Sequence, residues 1–218
     1  MRLYLVRHGR TSSNVARLLD TAVPGADLDE VGRSQAEYLV ERLDGHHFEA
    51  VYASDLVRTQ QTLAPLASAR GMEMTILSGL REIQAGEDEM SPVWQRYVGT
   101  LTAWGQGDFS AKVPGGEDAD TFFARFDDAI ARIATSVASS ALLVSHGAAL
   151  RMWLAASGRG MAVEDIIGRR MGNTTVVTLE GSPDTRWEFV DWDEVDQPGE
   201  WPVDPGLDAG VSETLSTR

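Results

Sequence analysis

Two phrases in this chain are nearly the same. Leu3-Tyr4-Leu5-Val6-Arg7-His8-Gly9 opens it, and Ala141-Leu142-Leu143-Val144-Ser145-His146-Gly147 repeats the pattern far downstream. Each is a short apolar run, one polar residue, then His-Gly. A continuous apolar run of this length reads as a buried strand of a parallel sheet. Two such strands would bring both imidazoles to one edge of that sheet. The chain holds four histidines, and these phrases use two of them. The other pair, His46 and His47, follows Gly45 at an expected helix end and reads as solvated.

The rest of the chain alternates strand and helix patterns. Residues 2–6 form the first expected strand, and Asp29 is expected to cap a helix over residues 30–43 that ends near Gly45. Ala50 to Ala53 reads as a strand, followed by a helix capped by Ser54 or Asp55 and stopped by Gly71. Met72 to Leu77 reads as a third strand, and Val93 to Trp104 as a helix. A loop with Pro114-Gly115-Gly116 precedes a long helix over residues 118–139, with Phe122, Phe126, Ile130 and Ile133 on one face. Strand 141–144, helix 148–156 and strands 174–179 and 186–192 complete the series. The alternation predicts an α/β three-layer sandwich, a mostly parallel central sheet with helices on both faces. Residues 1–192 are expected to form a single domain.

Charge narrows the functional classes. The net charge is −14 and the pI about 4.6, so free association with nucleic-acid backbones is not expected. Residues 193–218 hold seven acids and one base among Pro, Gly and Ser, which predicts a disordered acidic tail. Of 19 basic residues, 18 are arginine, a side chain whose planar fork suits phosphate oxygens. There is no cysteine, so thiolate chemistry, disulfides and cysteine-based zinc sites are excluded. No apolar stretch reaches signal-peptide or membrane-span length, and a soluble, cytoplasmic protein with no membrane contact is expected.

The neighbours of the two sheet-edge histidines are basic or small and polar: Arg7, Arg10, Thr11 and Asn14. They offer no third zinc ligand, and they describe an anion site. Arg58 follows another expected strand and points at the same edge by the same rule, or else pairs with Asp55 on the helix surface.

In order along the chain, Arg7-His8-Gly9-x-Thr11, Leu28-Asp29-x-x-Gly32-x-x-Gln35-Ala36, Ser54-x-Leu56-x-Arg58-Thr59-x-x-Thr62, Leu80-Arg81-Glu82, Pro114-Gly115-Gly116-Glu117 and Val144-Ser145-His146-Gly147 resemble the motifs of the histidine phosphatase superfamily, in its phosphoglycerate mutase-like branch. The resemblance spans roughly residues 2–180. It implies that His8 is the nucleophile and becomes phosphorylated. It implies that Arg7, Arg58 and His146 surround the phosphoryl oxygens, with Asn14, Thr11 and Gly147 adding donors. It implies that Glu82 is the proton donor and acceptor, with Glu87, Asp88 or Glu89 as alternatives on the same loop. No metal and no cofactor are required by this chemistry.

Two departures bear on substrate. Position 10 is arginine where the family usually has Glu or Gln, and Arg10 is expected to enrich the phosphate pocket or pair with a pocket carboxylate. The family's frequent Trp-Glu-Gly ending after the acid is missing; the mutases' aromatic-glycine stretch there and their tryptophan-asparagine pair after the first histidine are also missing, the chain having Ser13-Asn14, and residues 84–117 are short for a mutase's closing segment. An open cover admits water and favours hydrolysis. The expected activity is hydrolysis of a small phosphorylated metabolite, with phosphoglycerate mutase as the alternative and a non-catalytic phosphate-binding module as a third reading. Trp94, Tyr97 and Trp104 are expected in the cover. The final strand, with Trp187, Phe189 and Trp192, is a possible homodimer edge.

Overall fold

The computed structural model describes residues 1–194. In chain order the elements are β1 (Arg2–Arg7), α1 (Ser12–Val15), α2 (Glu30–Arg42), β2 (Ala50–Ala53), α3 (Val57–Ala69), β3 (Met74–Ile76), α4 (Gln95–Gly105), α5 (Ala119–Ser136), β4 (Ser140–Ser145), α6 (Gly147–Ser157), β5 (Gly158–Arg159), α7 (Val163–Gly168), β6 (Val176–Ser182) and β7 (Arg186–Asp193). Single 3₁₀ turns at Ser78–Leu80 and Gly86–Asp88 interrupt the segment between β3 and α4.

The strands form one sheet in the order β3-β2-β4-β1-β6-β7-β5. β1 pairs with β4 in parallel, as do β2 with β4 and β2 with β3, while β6 runs antiparallel to β1 and β7. Successive side chains of β1 point to opposite faces. Leu3 and Leu5 join one core with Phe122, Phe126 and Trp153 from α5 and α6, and Tyr4 and Val6 join a second with Leu39, Leu63 and Leu66 from α2 and α3. The two cores on the two sheet faces make the three-layer α/β sandwich that the alternation predicted.

Helix starts follow local chemistry in two cases and tertiary contacts in a third. Asp29 accepts from the Gly32 N–H and caps α2, and Asp118 accepts from the Thr121 N–H and caps α5, as expected. The expectation of a Ser54 or Asp55 cap on α3 is corrected. The cap position is Leu56, with no side-chain bond, because Ser54 is engaged by His146 and Thr59, and Asp55 by Arg81. α5 stops at Ser136, three residues short of the expected end.

Among the described residues the outer edge of β7 is paired only with the two-residue β5, at Trp187 and Glu188. Trp187 and Trp192 pack into the core beneath it. Asp193 ends β7 and pairs with Arg42, and Glu194 pairs with Arg169. The expectation of a disordered tail falls on residues 195–218 and lies outside the described residues. Among the described residues no helix is long and apolar enough to cross a membrane.

Candidate active site

The parallel register of β1 and β4 aligns Arg7 with Ser145, so both strands release a His-Gly at the same sheet edge. The His8 and His146 rings sit 5.2 Å apart between centroids. Both residues are buried. Backbone bonds lock the first turn: the His8 N–H donates to the Ser145 carbonyl, and the Asn173 side chain donates to the His8 carbonyl at 2.9 Å. Gly9 donates its N–H to Thr62 Oγ1 at 2.8 Å. A Cβ at Gly9 would lie 2.8 Å from the Gly32 carbonyl oxygen, so the glycine is required by the approach of α2.

The two imidazoles have different partners. His8 Nδ1 lies 2.7 Å from the Gly9 carbonyl oxygen. A carbonyl cannot donate, so Nδ1 carries the proton and Nε2 keeps its lone pair. Arg58 Nε donates to that Nε2 at 3.2 Å. Burial, with the charges of Arg58 and Arg7, holds His8 well below the usual histidine pKa, so the ring is neutral at pH 7. His146 is also held well below its ordinary value, first by burial and then by Arg58. Its Nε2 lies 2.8 Å from Ser54 Oγ. Its Nδ1 is buried without a hydrogen-bond partner among the described residues.

Arg58 comes from the first turn of α3 and is 3% exposed. Its Nη2 donates to the Asp20 carbonyl at 2.7 Å, and its Nη1 lies 3.6 Å from the Asp20 carboxylate. The surface pairing of Arg58 with Asp55 is therefore corrected: Asp55 binds Arg81 across the sheet edge. Gly25, at φ +71°, makes room for Arg58, because a Cβ there would fall 2.4 Å from Nη1. Arg7 Nη1 donates to the Met171 carbonyl.

Glu82 faces these groups from the loop after β3. Its carboxylate accepts from the Ile83 N–H at 2.9 Å, and from Ala148 and Ala149 in the first turn of α6 at 3.1 and 2.7 Å. Burial raises its pKa above the ordinary carboxyl value, against the pull of those N–H bonds and of Arg58. Arg125 of α5 braces the loop from behind, donating to the carbonyls of Gly79, Arg81 and Glu82 while paired with Glu117.

One cavity joins Arg7, His8, Thr11, Asn14, Arg58, Glu82 and Gly147, with Leu18, Trp94, Tyr97, Val98 and Leu101 as an apolar wall. Thr11 and Asn14 form a reciprocal capping box on α1. The Asn14 Oδ1 accepts from Thr11 and Asn173, which leaves its amide N–H₂ as a donor in the cavity wall. The alternative acids lie outside that wall. Asp88 is clamped by Arg96, Glu87 lies near the same guanidinium, and Glu89 accepts from the N–H groups of Thr21 and Ala22. Arg10 is also turned away. It pairs with Asp29 at 2.6 Å, which corrects the expectation that it enriches the pocket or meets a pocket carboxylate. Of the three expected cover aromatics, Trp94 and Tyr97 line the cavity, while Trp104 is fully buried core. His46 and His47 are exposed.

Sequence reasoning missed Asp20, Thr21, Ser54 and Arg151. Asp20 and Thr21 sit in a loop without periodicity. Ser54 was read only as a cap. Arg151 follows Gly147 at helical i, i+4 spacing, which is a signal that was there to be used.

A neutral imidazole with an available Nε2, beside two guanidinium groups and a carboxyl whose pKa burial raises, has the groups needed to attack a phosphorus centre and to move a proton to what leaves. Known proteins carry the same arrangement of sequence and fold. Residues 3–195 match the family model of the histidine phosphatase superfamily, branch 1. The PE-PGRS family protein PE_PGRS11 of Mycobacterium tuberculosis is 32% identical over 209 residues, 87% of this chain, and the chain spans about a third of that protein's length, 36%. The probable phosphoglycerate mutase GpmB of Yersinia pestis is 32% identical over 157 residues, covering 69% of this chain and 71% of that protein. The mycobacterial glucosyl-3-phosphoglycerate phosphatase superposes with a TM-score of 0.73 at 26% identity, covering 88% of this chain and 98% of the other. The α-ribazole phosphatase from Shigella flexneri gives 0.66 at 30% identity, covering 83% and 90%. With the motif order, the sheet-edge histidines and the match over residues 3–195 in agreement, the chain belongs to the histidine phosphatase superfamily, branch 1.

Proposed function

We propose that this protein hydrolyses phosphomonoesters of small metabolites through a phosphohistidine intermediate, with no metal required. The observation that carries the reading is the state of His8. Its Nδ1–H is committed to the Gly9 carbonyl, and its Nε2 sits against Arg58. In the first half-reaction Nε2 bonds to phosphorus as the ester P–O bond breaks. Arg7, Arg58 and His146 balance the charge on the three equatorial oxygens, with Asn14, Thr11 and the Gly147 backbone as further donors. Glu82 passes its proton to the departing alkoxide. In the second half-reaction water attacks phosphorus, Glu82 takes a proton from it, and the N–P bond breaks to release inorganic phosphate.

Similarity to two phosphatases supports hydrolysis. Similarity to a probable mutase supports a second reading, in which the phosphoryl group returns to another hydroxyl of the substrate. The test is hydrolysis of p-nitrophenyl phosphate in EDTA by the wild type and His8→Ala. The expected result is turnover that resists EDTA and is lost in the variant. Activity surviving in His8→Ala would overturn the nucleophile assignment. Turnover of 3-phosphoglycerate to its isomer, only with a bisphosphorylated primer, would favour the mutase.

A further inference from the structure

The segment between α7 and β6 bends against the preferences of its own residues. The Thr175 N–H donates to the Gly172 carbonyl at 3.2 Å, closing a turn with Asn173 and Thr174 at its centre. Thr174 is buried and sits at φ +57°. That left-handed place in a turn favours glycine or asparagine, and a β-branched side chain there is strained. The Thr174 hydroxyl is buried with no hydrogen-bond partner among the described residues, so the side chain does not hold the bend. The backbone holds it. The Thr174 N–H donates to the Arg7 carbonyl at 3.0 Å, the Arg7 N–H donates to the Thr175 carbonyl at 3.1 Å, and Arg42 donates to the Thr174 carbonyl at 2.9 Å.

Two residues, Thr174 and Thr175, thus oppose the single Arg7, which makes the bend a β-bulge, a device that re-aims a side chain beside a site. The register that pairs Val6 with Val176 would otherwise set Thr174 opposite His8. The extra residue sets Asn173 there. Asparagine, which suits a left-handed place, stands one position before it, so the turn does not account for its presence. Its contacts do. The His8 carbonyl can only accept, so the Asn173 group facing it at 2.9 Å is the amide N–H₂. The Thr11 N–H can only donate, so the Asn14 atom facing it at 3.2 Å is Oδ1. The Asn173 amide nitrogen also meets that oxygen at 3.2 Å and takes its other lone pair.

We propose that Asn173, aimed by the bulge, is a positioning residue that fixes the direction of the Asn14 amide and keeps its N–H₂ turned toward the phosphoryl group. Asn14 lines the cavity with His8 and Arg58. A reversed Asn14 amide would turn an oxygen toward an anion and replace attraction by repulsion. Thr11 opposes that reversal with one bond. Asn173 adds the second, and its bond to the His8 carbonyl keeps the neutral donor in register with the nucleophile.

This assignment rests on the hydrolase reading, and two readouts keep them apart. The test is a double-variant cycle of Asn14→Ala with Asn173→Leu, which is similar in size and has no donor. The readouts are kcat/KM for p-nitrophenyl phosphate and the calorimetric Kd for inorganic phosphate, which needs no turnover. Asn173→Leu should lower kcat/KM about tenfold in the wild type, the effect of one misdirected donor. In the Asn14→Ala background it should cost less than about threefold, because the two residues act as one. The Kd for phosphate should follow the same pattern. A residue that only stabilises the turn would cost the same factor in both backgrounds. That result, or no loss in Asn173→Leu, would overturn the proposal, as would a wild type that does not bind millimolar phosphate. If p-nitrophenyl phosphate is not hydrolysed while the phosphate cycle keeps its pattern, the hydrolase reading falls and the positioning role stands. Should Asn173→Leu fail to fold, Asn173→Ala decides in the same cycle.

Discussion

The ends of β1 and β4 carry the same phrase, leave the same sheet edge and face each other, yet they present their histidines in opposite ways. His8 gives Nδ1 to its own backbone turn and turns Nε2 toward Arg58 and the cavity. His146 gives Nε2 to Ser54 and keeps Nδ1 without a partner among the described residues. The local sequence places an imidazole. What that imidazole can do is set by residues 87 and 92 positions away: Thr59 and Ser54 choose which nitrogen of His146 is occupied, while the adjacent Gly9 carbonyl holds Nδ1 of His8. Nearly identical scaffolds thus leave opposite ring nitrogens committed, the difference on which the proposed roles of nucleophile and electrostatic partner rest.

The sharpest way to break this asymmetry is to exchange the residues themselves. His8→Ala should lower turnover of p-nitrophenyl phosphate on the order of 10⁴-fold or more, since no other group at the edge takes over a nucleophile's work. His146→Ala should leave the covalent step possible but slower, by about 10²–10³-fold, the usual cost of one charge-stabilising donor. Rapid-quench trapping of the phosphoenzyme would separate the two, with label retained in the second variant and absent from the first.

Glu82→Gln comes next, at about 10²–10⁴-fold on an alkyl phosphate. The effect should shrink with p-nitrophenyl phosphate, whose leaving group needs little protonation. Because Glu82 acts protonated in the first step and its pKa is raised, the rate of phosphoenzyme formation from an alkyl phosphate should fall as pH rises through that raised value. A single-turnover pH profile checks this, and a flat alkaline limb would remove Glu82 as the acid.

Ser54→Ala sharpens the contrast at smaller amplitude. It removes one buried partner of His146, and about 1–3 kcal/mol of stability should go with it. Both histidines also make the fold pH-sensitive. Their folded pKa values lie well below the unfolded 6.5, so the unfolded chain binds more protons below that pH. Stability from these two groups is present above about pH 6.5 and is lost as pH falls through and below it. Thermal melts from pH 7 to pH 5 should show a falling Tm, with a gentler slope in His146→Gln. The smallest effect belongs to Arg10→Ala. Its partially exposed pair with Asp29 lies off the cavity, so about 0–1 kcal/mol of stability is at stake and kcat/KM should change by less than a few-fold.

The parts of this molecule governed by local pattern were legible in its sequence. Both His-Gly strand ends, the Asp29 and Asp118 caps and the amphipathic face of α5 depend on spacing within a few residues. The misreadings came where a side chain had a local and a distant option. Ser54 and Asp55 are good caps by composition, but His146 and Arg81 took them. Trp104 looked like a cover residue, yet its indole N–H finds the Ala111 carbonyl and lets the ring go fully into the core. Asp20 carries no periodic signal, and only the folded chain sets it beside Arg58. Arg151 was the one readable residue left unread, since helix geometry alone puts it on the face that begins at Gly147.

Glu82 is held by the N–H groups at the start of α6, the helix that His146 caps, and the loop bearing it is braced by α5. The cover elements, α4 and the loops around Arg17 and Met90, are joined to one another by Trp94 and by Leu19, and α4 is fastened to the Glu82 loop by Tyr97, whose hydroxyl donates to the Ile83 carbonyl. The cavity wall and the carboxyl therefore share a fastening point, and a cover that keeps Tyr97 can vary elsewhere while Glu82 stays in register.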